Sequence, residues 1–406
     1  MFEEDNGKRK HVRFPRVDFS VSPFIVIWET TFACDLACKH CRASAVPFRA
    51  KDELSYDESE ELLEEISKFG RPLLVLTGGD PFKREDIFDI IKFAVSKNLP
   101  VSISPSVTPL FTDDVILKLK EAGIKAVSLS LDGPDEQTHD SFRGVDGVFR
   151  RTLEIWQKLV KSGIKVQINT TVSRFNVEKL PEIFFLVAQN RAMTWSVFFL
   201  VEVGRAFGKQ DIQITPQEFE DIANFLYDAG EYIWVKTTEG HHFKRVFIQR
   251  EVLSEKGLDF REHMKIGDLY FYLSEKLMFY AYKGNFRKVR RRTPMNVNAG
   301  RGFVFISKNG DVFPSGFLPL KAGSVRQKSI VEIYRNSEIL RSLRNYELLK
   351  GKCKVCEFRE VCGGSRSRAY AYTKDPFESE PLCIWKPGSS QVFRNLHISQ
   401  ENIQEI

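Results

Sequence analysis

No run of about 18 consecutive apolar residues occurs in this 406-residue sequence, so no segment reads as a transmembrane helix. The opening, residues 1–16, is charged and lacks the apolar core of a secretion signal, and cytoplasmic residence is the resulting expectation. Low-complexity tracts are absent, and 42% hydrophobic with 28% charged residues exclude a collagenous or largely disordered chain. Charge of neither sign dominates: 60 basic and 54 acidic side chains leave a net charge of +6. One dense patch, Arg287, Lys288, Arg290, Arg291 and Arg292, suits an anionic substrate, nucleic acid, lipid headgroups or plain solvation. No zinc-finger spacing or RNA-binding signature accompanies it, so a nucleic-acid partner is not expected. The length is about two to three times that of a usual domain, which predicts one large α/β domain with an appendage, or two units.

Thiols are few but grouped. The seven cysteines divide into Cys34, Cys38 and Cys41, spaced Cys-x3-Cys-x2-Cys, and Cys353, Cys356, Cys362 and Cys383, spaced Cys-x2-Cys-x5-Cys-x20-Cys. An odd total without a secretion signal argues against a disulfide framework and for metal ligation or catalysis. Three thiolates on one short loop can hold an iron–sulfur cube and leave one iron open. A zinc loop is the alternative, with His40 as the fourth ligand that a closed site requires.

Between residues 23 and 201 strand-like runs alternate with helix-period runs. The strand candidates are 23–31, 73–80, 101–107, 126–133, 165–172 and 195–201. Near-continuous apolar strands alternating with helices predict a parallel sheet covered by helices, with ligands at the carboxyl ends of the strands. Residues 216–295 read as a helical bridge, and from 296 the pattern turns to short strands, with Asn309-Gly310 marking a hairpin. The expected organisation is therefore an arm over 1–22, a core over 23–215, the bridge over 216–295, a small cysteine-bearing domain over 296–386 and a tail over 387–406.

The octapeptide Cys34-Asp35-Leu36-Ala37-Cys38-Lys39-His40-Cys41, after the first strand, resembles the signature of radical S-adenosylmethionine (SAM) enzymes. That resemblance implies an α/β fold: a partial (β/α)6 TIM-like barrel with a small C-terminal α+β iron–sulfur domain. It implies a 4Fe-4S cluster on Cys34, Cys38 and Cys41 whose open iron is chelated by SAM. An electron from the cluster would cleave SAM to methionine and a 5′-deoxyadenosyl radical, which abstracts hydrogen from substrate. An electron donor such as ferredoxin or flavodoxin is implied as a partner. Gly78, Gly79 and Asp80 are similar to the family's Gly-Gly-Glu motif that receives the methionine ammonium, with Asp80 a shorter carboxylate than usual. By the same resemblance Ser104, Ser106, Ser130, Asp132, Asn169 and Thr171 reach the SAM ribose and carboxylate, Arg143 meets the carboxylate, and Gly204 belongs to the segment that borders the adenine.

The C-terminal cysteines resemble an auxiliary-cluster half of SPASM or twitch domains, implying a second 4Fe-4S cluster on Cys353, Cys356, Cys362 and Cys383. A four-cysteine zinc ribbon is the alternative. The further cysteines of a full SPASM pattern are missing: Asn296 and Asn298 lie near one such position, Ser315 occupies another, and Ser365 or Arg366 follows Cys-Gly-Gly. Two clusters in total are expected.

The stretches CRASA after the first loop and CGGSRSRAYAYTKD before the last cysteine resemble the radical SAM enzymes of heme and heme d1 biosynthesis. That points to a tetrapyrrole substrate modified at a side chain, by decarboxylation or side-chain loss. A peptide-modifying maturase of the pyrroloquinoline quinone type, and a non-enzymatic iron–sulfur or zinc scaffold, are the competing readings. Only some 20 residues precede the first strand, less than a leader-binding domain, which weighs against the peptide. Arg245 and the 287–292 patch are expected near the barrel mouth and bridge, where guanidinium forks would take substrate carboxylates. His241 and His242, in a polar run, are expected either as exposed loop residues or as substrate contacts. The apolar strands are expected to give the radical a dry interior.

Overall fold

A computed structural model of the chain describes residues 18–393 together with 14–16 and 400–402. The remainder of the arm expected over 1–22 and of the tail expected over 387–406 lies outside the described residues. One ten-stranded sheet organises the chain. Its first strands, β1 (Ile25–Glu29), β2 (Leu73–Thr77), β3 (Val101–Ile103), β4 (Ala126–Ser130), β5 (Lys165–Val172) and β6 (Thr194–Phe199), lie side by side in sequence order, all parallel. Crossover helices join them, and their ends obey ordinary capping chemistry. Helix α1 (Tyr56–Ser67) starts with a reciprocal Ser55–Glu58 capping box, and Thr112 caps the helix Asp113–Glu121 through the Val115 amide.

Alternation along the strands separates two faces. Val26, Trp28, Leu74, Leu76, Ile103, Val127, Leu129, Ile168, Trp195 and Val197 are fully buried and form one cluster with the apolar faces of the helices. Each such side chain contributes about 1.5–3 kcal/mol by leaving water. The opposite face, which the strands turn toward the barrel lumen, carries Ile25, Ile27, Leu73, Val75 and Phe198 together with Glu29, Thr77, Ser102, Ser104, Ser128, Ser130, Gln167, Asn169, Thr171, Thr194 and Ser196. The lumen wall is therefore largely apolar on β1 and β2 and largely hydroxyl- and amide-bearing from β3 to β6.

The sheet runs past six strands at both edges. Within the segment read as a helical bridge, β7 (Val235–Thr238) pairs parallel with β6, between α2 (Pro216–Ala229) and α3 (Phe243–Glu255). At the other edge, β8 (Phe303–Ile306) pairs parallel with β1 in the register Ile25↔Phe303 to Trp28↔Ile306, and β9 (Asp311–Phe313) and β10 (Gly323–Ser324) add antiparallel. Ser307 to Gly310 form the hairpin turn, with Gly310 at φ +85°. The C-terminal segment is thus hydrogen-bonded onto the barrel's first strand. Among the described residues no helix is long and apolar enough to cross a membrane.

Candidate functional site

After β1 the chain enters the first cysteine loop over a fixed stem. Thr31 Oγ1 and the Phe32 amide both donate to the buried Glu53 carboxylate, at 2.7 and 3.2 Å. Cys34 and Cys38 are buried and Cys41 half-buried, and each sulfur meets a donor. The Leu36 amide lies 3.4 Å from Cys34 Sγ, the Ala45 amide 3.4 Å from Cys41 Sγ, and Arg143 Nη1 3.6 Å from Cys38 Sγ. Ser106 Oγ stands 3.2 Å from Cys34 Sγ and donates to the Gly79 carbonyl at 2.8 Å, so the end of β3 touches both the loop and the glycine turn. Burial pushes the Cys34 thiol above its ordinary range, a cost that metal ligation removes by taking the thiolate.

The two glycines after β2 are required by close approach to that stem. A Cβ on Gly79 would stand 2.6 Å from the Phe32 carbonyl oxygen and closer still to that of Ala33, and one on Gly78 would press on the Thr31 backbone. The Gly79 and Asp80 amides donate to the Thr31 and Ala33 carbonyls at 2.8 and 2.7 Å. Asp80 is fully buried, and its oxygens accept from Thr108 Oγ1 at 2.7 Å and the Phe82 amide at 3.2 Å. Desolvation pushes its carboxyl up to about 6. Both oxygens are engaged within the turn, so Asp80 shapes the glycine turn that a ligand would meet.

From the opposite side Gly204, at φ +57°, packs on the carbonyls of Cys41 and Arg42, and a Cβ there would sit 2.7 Å from the Arg42 carbonyl carbon. The Arg205 amide donates to the Cys41 carbonyl at 3.0 Å, and Nη1 of its side chain to the Cys38 carbonyl at 3.2 Å. Ser130, Asn169 and Ser196 stand in one register row across β4, β5 and β6 on the lumen face. Asn169 accepts from Gln167 at 2.7 Å, and Ser196 is buried with its hydroxyl unpaired. Sequence reading missed Ser196; the signal was its shared lumen parity with Thr194 in an otherwise apolar strand.

Arg143, expected at the SAM carboxylate, lies beside the first cysteine loop. It is buried, paired with Asp132 and turned toward Cys38; Asp132 in turn accepts from the Thr171 amide at 2.7 Å. His40 stacks on Phe142 with ring centroids 4.2 Å apart, and burial holds it neutral.

The C-terminal thiols line a separate, partly open cavity. Its wall includes Cys353, Cys356, Cys362, Cys383, His242, Arg245 and Trp385. The Glu380 amide approaches Cys353 Sγ and the Gly364 amide Cys362 Sγ, each at 3.4 Å; Arg366 Nη2 lies 3.8 Å from Cys353 Sγ. Desolvation pushes Cys362 up to about 12 and raises Cys356 and Cys383 too. Four thiols arranged around an open space fit a multi-atom iron–sulfur cluster. Among the described residues no three Cys, His, Asp or Glu side chains converge closely enough to hold a single metal ion.

Several expected positions are corrected. Arg245 is buried, paired with Glu220 at 2.5–2.9 Å and only 4.0 Å from Cys383 Sγ, so it belongs to the thiol cavity and has no free fork for substrate. The 287–292 patch lies at the other end of the sheet from the cysteine loop: Lys288 and Arg291 pair with Glu231 at 2.6 Å, and Arg292 covers Trp234, just before β7 begins. His242 is fully buried rather than an exposed loop residue, and His241 is half-buried beside it; burial holds both neutral. The positions of the absent cysteines are filled with polar contacts. Ser315, Ser365 and Ser367 all donate to the buried Glu239 carboxylate at the end of β7, and Asn298 Nδ2 donates to the Cys362 and Gly364 carbonyls. The Asn296 amide nitrogen donates to the Glu360 carbonyl, and Arg366 donates to the carbonyls of Pro376 and Glu378. Glu239, at φ +54°, is a functional candidate that periodicity did not single out.

A three-cysteine loop locked onto a glycine turn at the carboxyl ends of parallel barrel strands defines a class, and the comparisons agree on it. The radical SAM superfamily model matches residues 28–187, and the chain belongs to that superfamily. Membership implies an enzyme that carries a 4Fe-4S cluster and uses SAM. The chain is 36% identical over 369 residues to the AdoMet-dependent heme synthase of Methanosarcina barkeri, covering 90% of this chain and 98% of that protein. It is 36% identical over 374 residues to the AdoMet-dependent heme synthase of Nitratidesulfovibrio vulgaris, covering 89% and 92%, and 28% identical over 383 residues to the pre-heme d1 synthase of Dinoroseobacter shibae, covering 92% and 89%. Among solved structures, Streptococcus suis SuiB bound to S-adenosylmethionine superposes with a TM-score of 0.64 at 16% identity over 90% of this chain and 78% of that one, which shows the shared fold.

Proposed function

We propose that this enzyme cleaves SAM reductively at the Cys34–Cys38–Cys41 loop and uses the resulting radical to remove carboxylate from a tetrapyrrole side chain. The observation that carries the reading is identity of 36% to AdoMet-dependent heme synthases over about nine-tenths of the chain, against 26% to the PqqA peptide cyclase. The cluster, when bound, supplies the electron that breaks the SAM sulfonium bond. The protein's part is to hold three thiols with one donor each, to offer the flat Gly78–Gly79 turn for close approach, and to line the lumen with Ser104, Ser130, Asn169 and Ser196 for a polar ligand. The second thiol set holds an auxiliary 4Fe-4S cluster, and the sheet pairing of β8 with β1 ties its domain to the barrel.

The test is anaerobic incubation of the reconstituted enzyme with SAM, dithionite and iron-coproporphyrin. Formation of 5′-deoxyadenosine together with tetrapyrrole products that have lost carbon dioxide and hydrogen is expected. Formation of 5′-deoxyadenosine with an unchanged tetrapyrrole would move the substrate to another class.

A further inference from the structure

His242 stands at the first residue ahead of α3, in the wall of the four-thiol cavity, with none of its surface exposed and neither ring nitrogen hydrogen-bonded. A buried polar group left unpaired is destabilising, so a partner is expected in the cavity itself. Two other unpaired buried groups on this wall have the same polarity: Trp385 Nε1 and Arg245 Nε, both N–H donors. An indole and a guanidinium nitrogen can only donate, and imidazole carries one N–H when neutral. The wall therefore asks for an occupant rich in acceptors, which is what cluster sulfides and ligating thiolates are.

The ring is also held firmly. It stacks on Phe219 with centroids 3.5 Å apart, and Phe219 stacks on Phe199 at 3.8 Å. Phe199 is the last residue of β6, so three packed rings run from the barrel's strand ends to the cavity wall. Arg368 closes the same junction, donating to the carbonyls of Phe199 and Leu200 at 3.2 Å each and pairing with Glu380. This packing fixes the imidazole orientation without using either nitrogen.

We propose that His242 donates a hydrogen bond to a sulfur of the auxiliary cluster and thereby raises its reduction potential, marking the cluster as redox-active. Hydrogen bonds to cluster sulfurs stabilise the more negative, reduced state and are one of the protein's levers on potential. The inference rests on the two-cluster reading above, in which loss of each carboxylate as carbon dioxide, after hydrogen abstraction, leaves one electron to be accepted.

The experiment uses the full chain carrying Cys34→Ala, Cys38→Ala and Cys41→Ala, so that only the auxiliary cluster reports, in a redox titration followed by electron paramagnetic resonance. His242→Phe keeps the stack and removes the N–H; its midpoint potential is expected to fall. His242→Gln keeps a donor and is expected to recover much of the loss. An unshifted potential in the Phe variant, with the cluster intact, overturns the proposal. On the chain with native His242, pulsed resonance with ¹⁵N-histidine labelling is expected to show nitrogen coupling to the reduced cluster, and its absence also overturns the proposal, even if the Phe variant fails to load. If the triple variant holds no four-iron cluster at all, the auxiliary-cluster reading itself fails.

Discussion

Asp80 carries a charge the fold does not welcome. Its carboxyl is fully buried and is pushed from 3.8 up to about 6 by desolvation, with hydrogen bonds from Thr108 and Phe82 offsetting part of the effect. A raised acid binds its proton more tightly in the native chain than in the unfolded one, so stability is greatest below the unfolded value and falls as pH rises from about 4 through about 6. A rise of that size corresponds to about 3 kcal/mol, since each tenfold change in proton affinity is worth about 1.36 kcal/mol. Asp80→Asn keeps the shape and an acceptor while removing the charge. The metal-free variant should therefore be more stable than the parent at pH 7.5 by up to about 3 kcal/mol, with the difference shrinking as pH approaches 4. Anaerobic urea unfolding at a series of pH values reads this directly. A variant that is less stable at pH 7.5, or a difference that does not change with pH, would refute the reasoning that burial dominates at this position.

Other substitutions test the rest of the site. Cys38→Ala should abolish 5′-deoxyadenosine formation, whereas Cys356→Ala should leave SAM cleavage measurable and impair tetrapyrrole turnover, as chromatography of the two products will show. Gly79→Ala forces a methyl against the Phe32 and Ala33 carbonyls; a strain of about 1–3 kcal/mol at the loop stem should lower SAM cleavage at least tenfold, and a wild-type rate would contradict the close packing. Ser196→Ala removes a buried unpaired hydroxyl from the lumen row; it should raise the Michaelis constant for SAM or tetrapyrrole while leaving the urea midpoint unchanged or higher, and an unchanged Michaelis constant for both would remove Ser196 from the site.

Much of this was legible in the residues because it depends on local pattern. Cysteine spacing depends on a loop, and parallel strands buried against helices announce themselves as apolar runs, so five of the six central strands fall inside the stretches expected for them and the sixth begins one residue early, at Thr194. What was not legible depends on tertiary partners. Val235–Thr238 is only four residues, with a lysine among them, and becomes a strand because β6 offers an edge. The pairing of β8 with β1 joins residues almost 280 positions apart, and no local signal reports it. Arg245 and His242 were misplaced for one reason: a polar side chain in a polar run looks solvated until its burial is known. The lumen face was masked because serine and threonine alternate with the larger apolar residues that set the reading of each strand.

The central claim is that the first cysteine loop holds a cluster with one iron free for SAM. The most direct measurement is the electron paramagnetic resonance spectrum of the reduced, anaerobically prepared chain carrying Cys353→Ala and Cys356→Ala, recorded with and without SAM. A four-iron signal whose shape changes when SAM is added is predicted. A signal indifferent to SAM, or a loop that binds zinc in place of iron, would contradict the account.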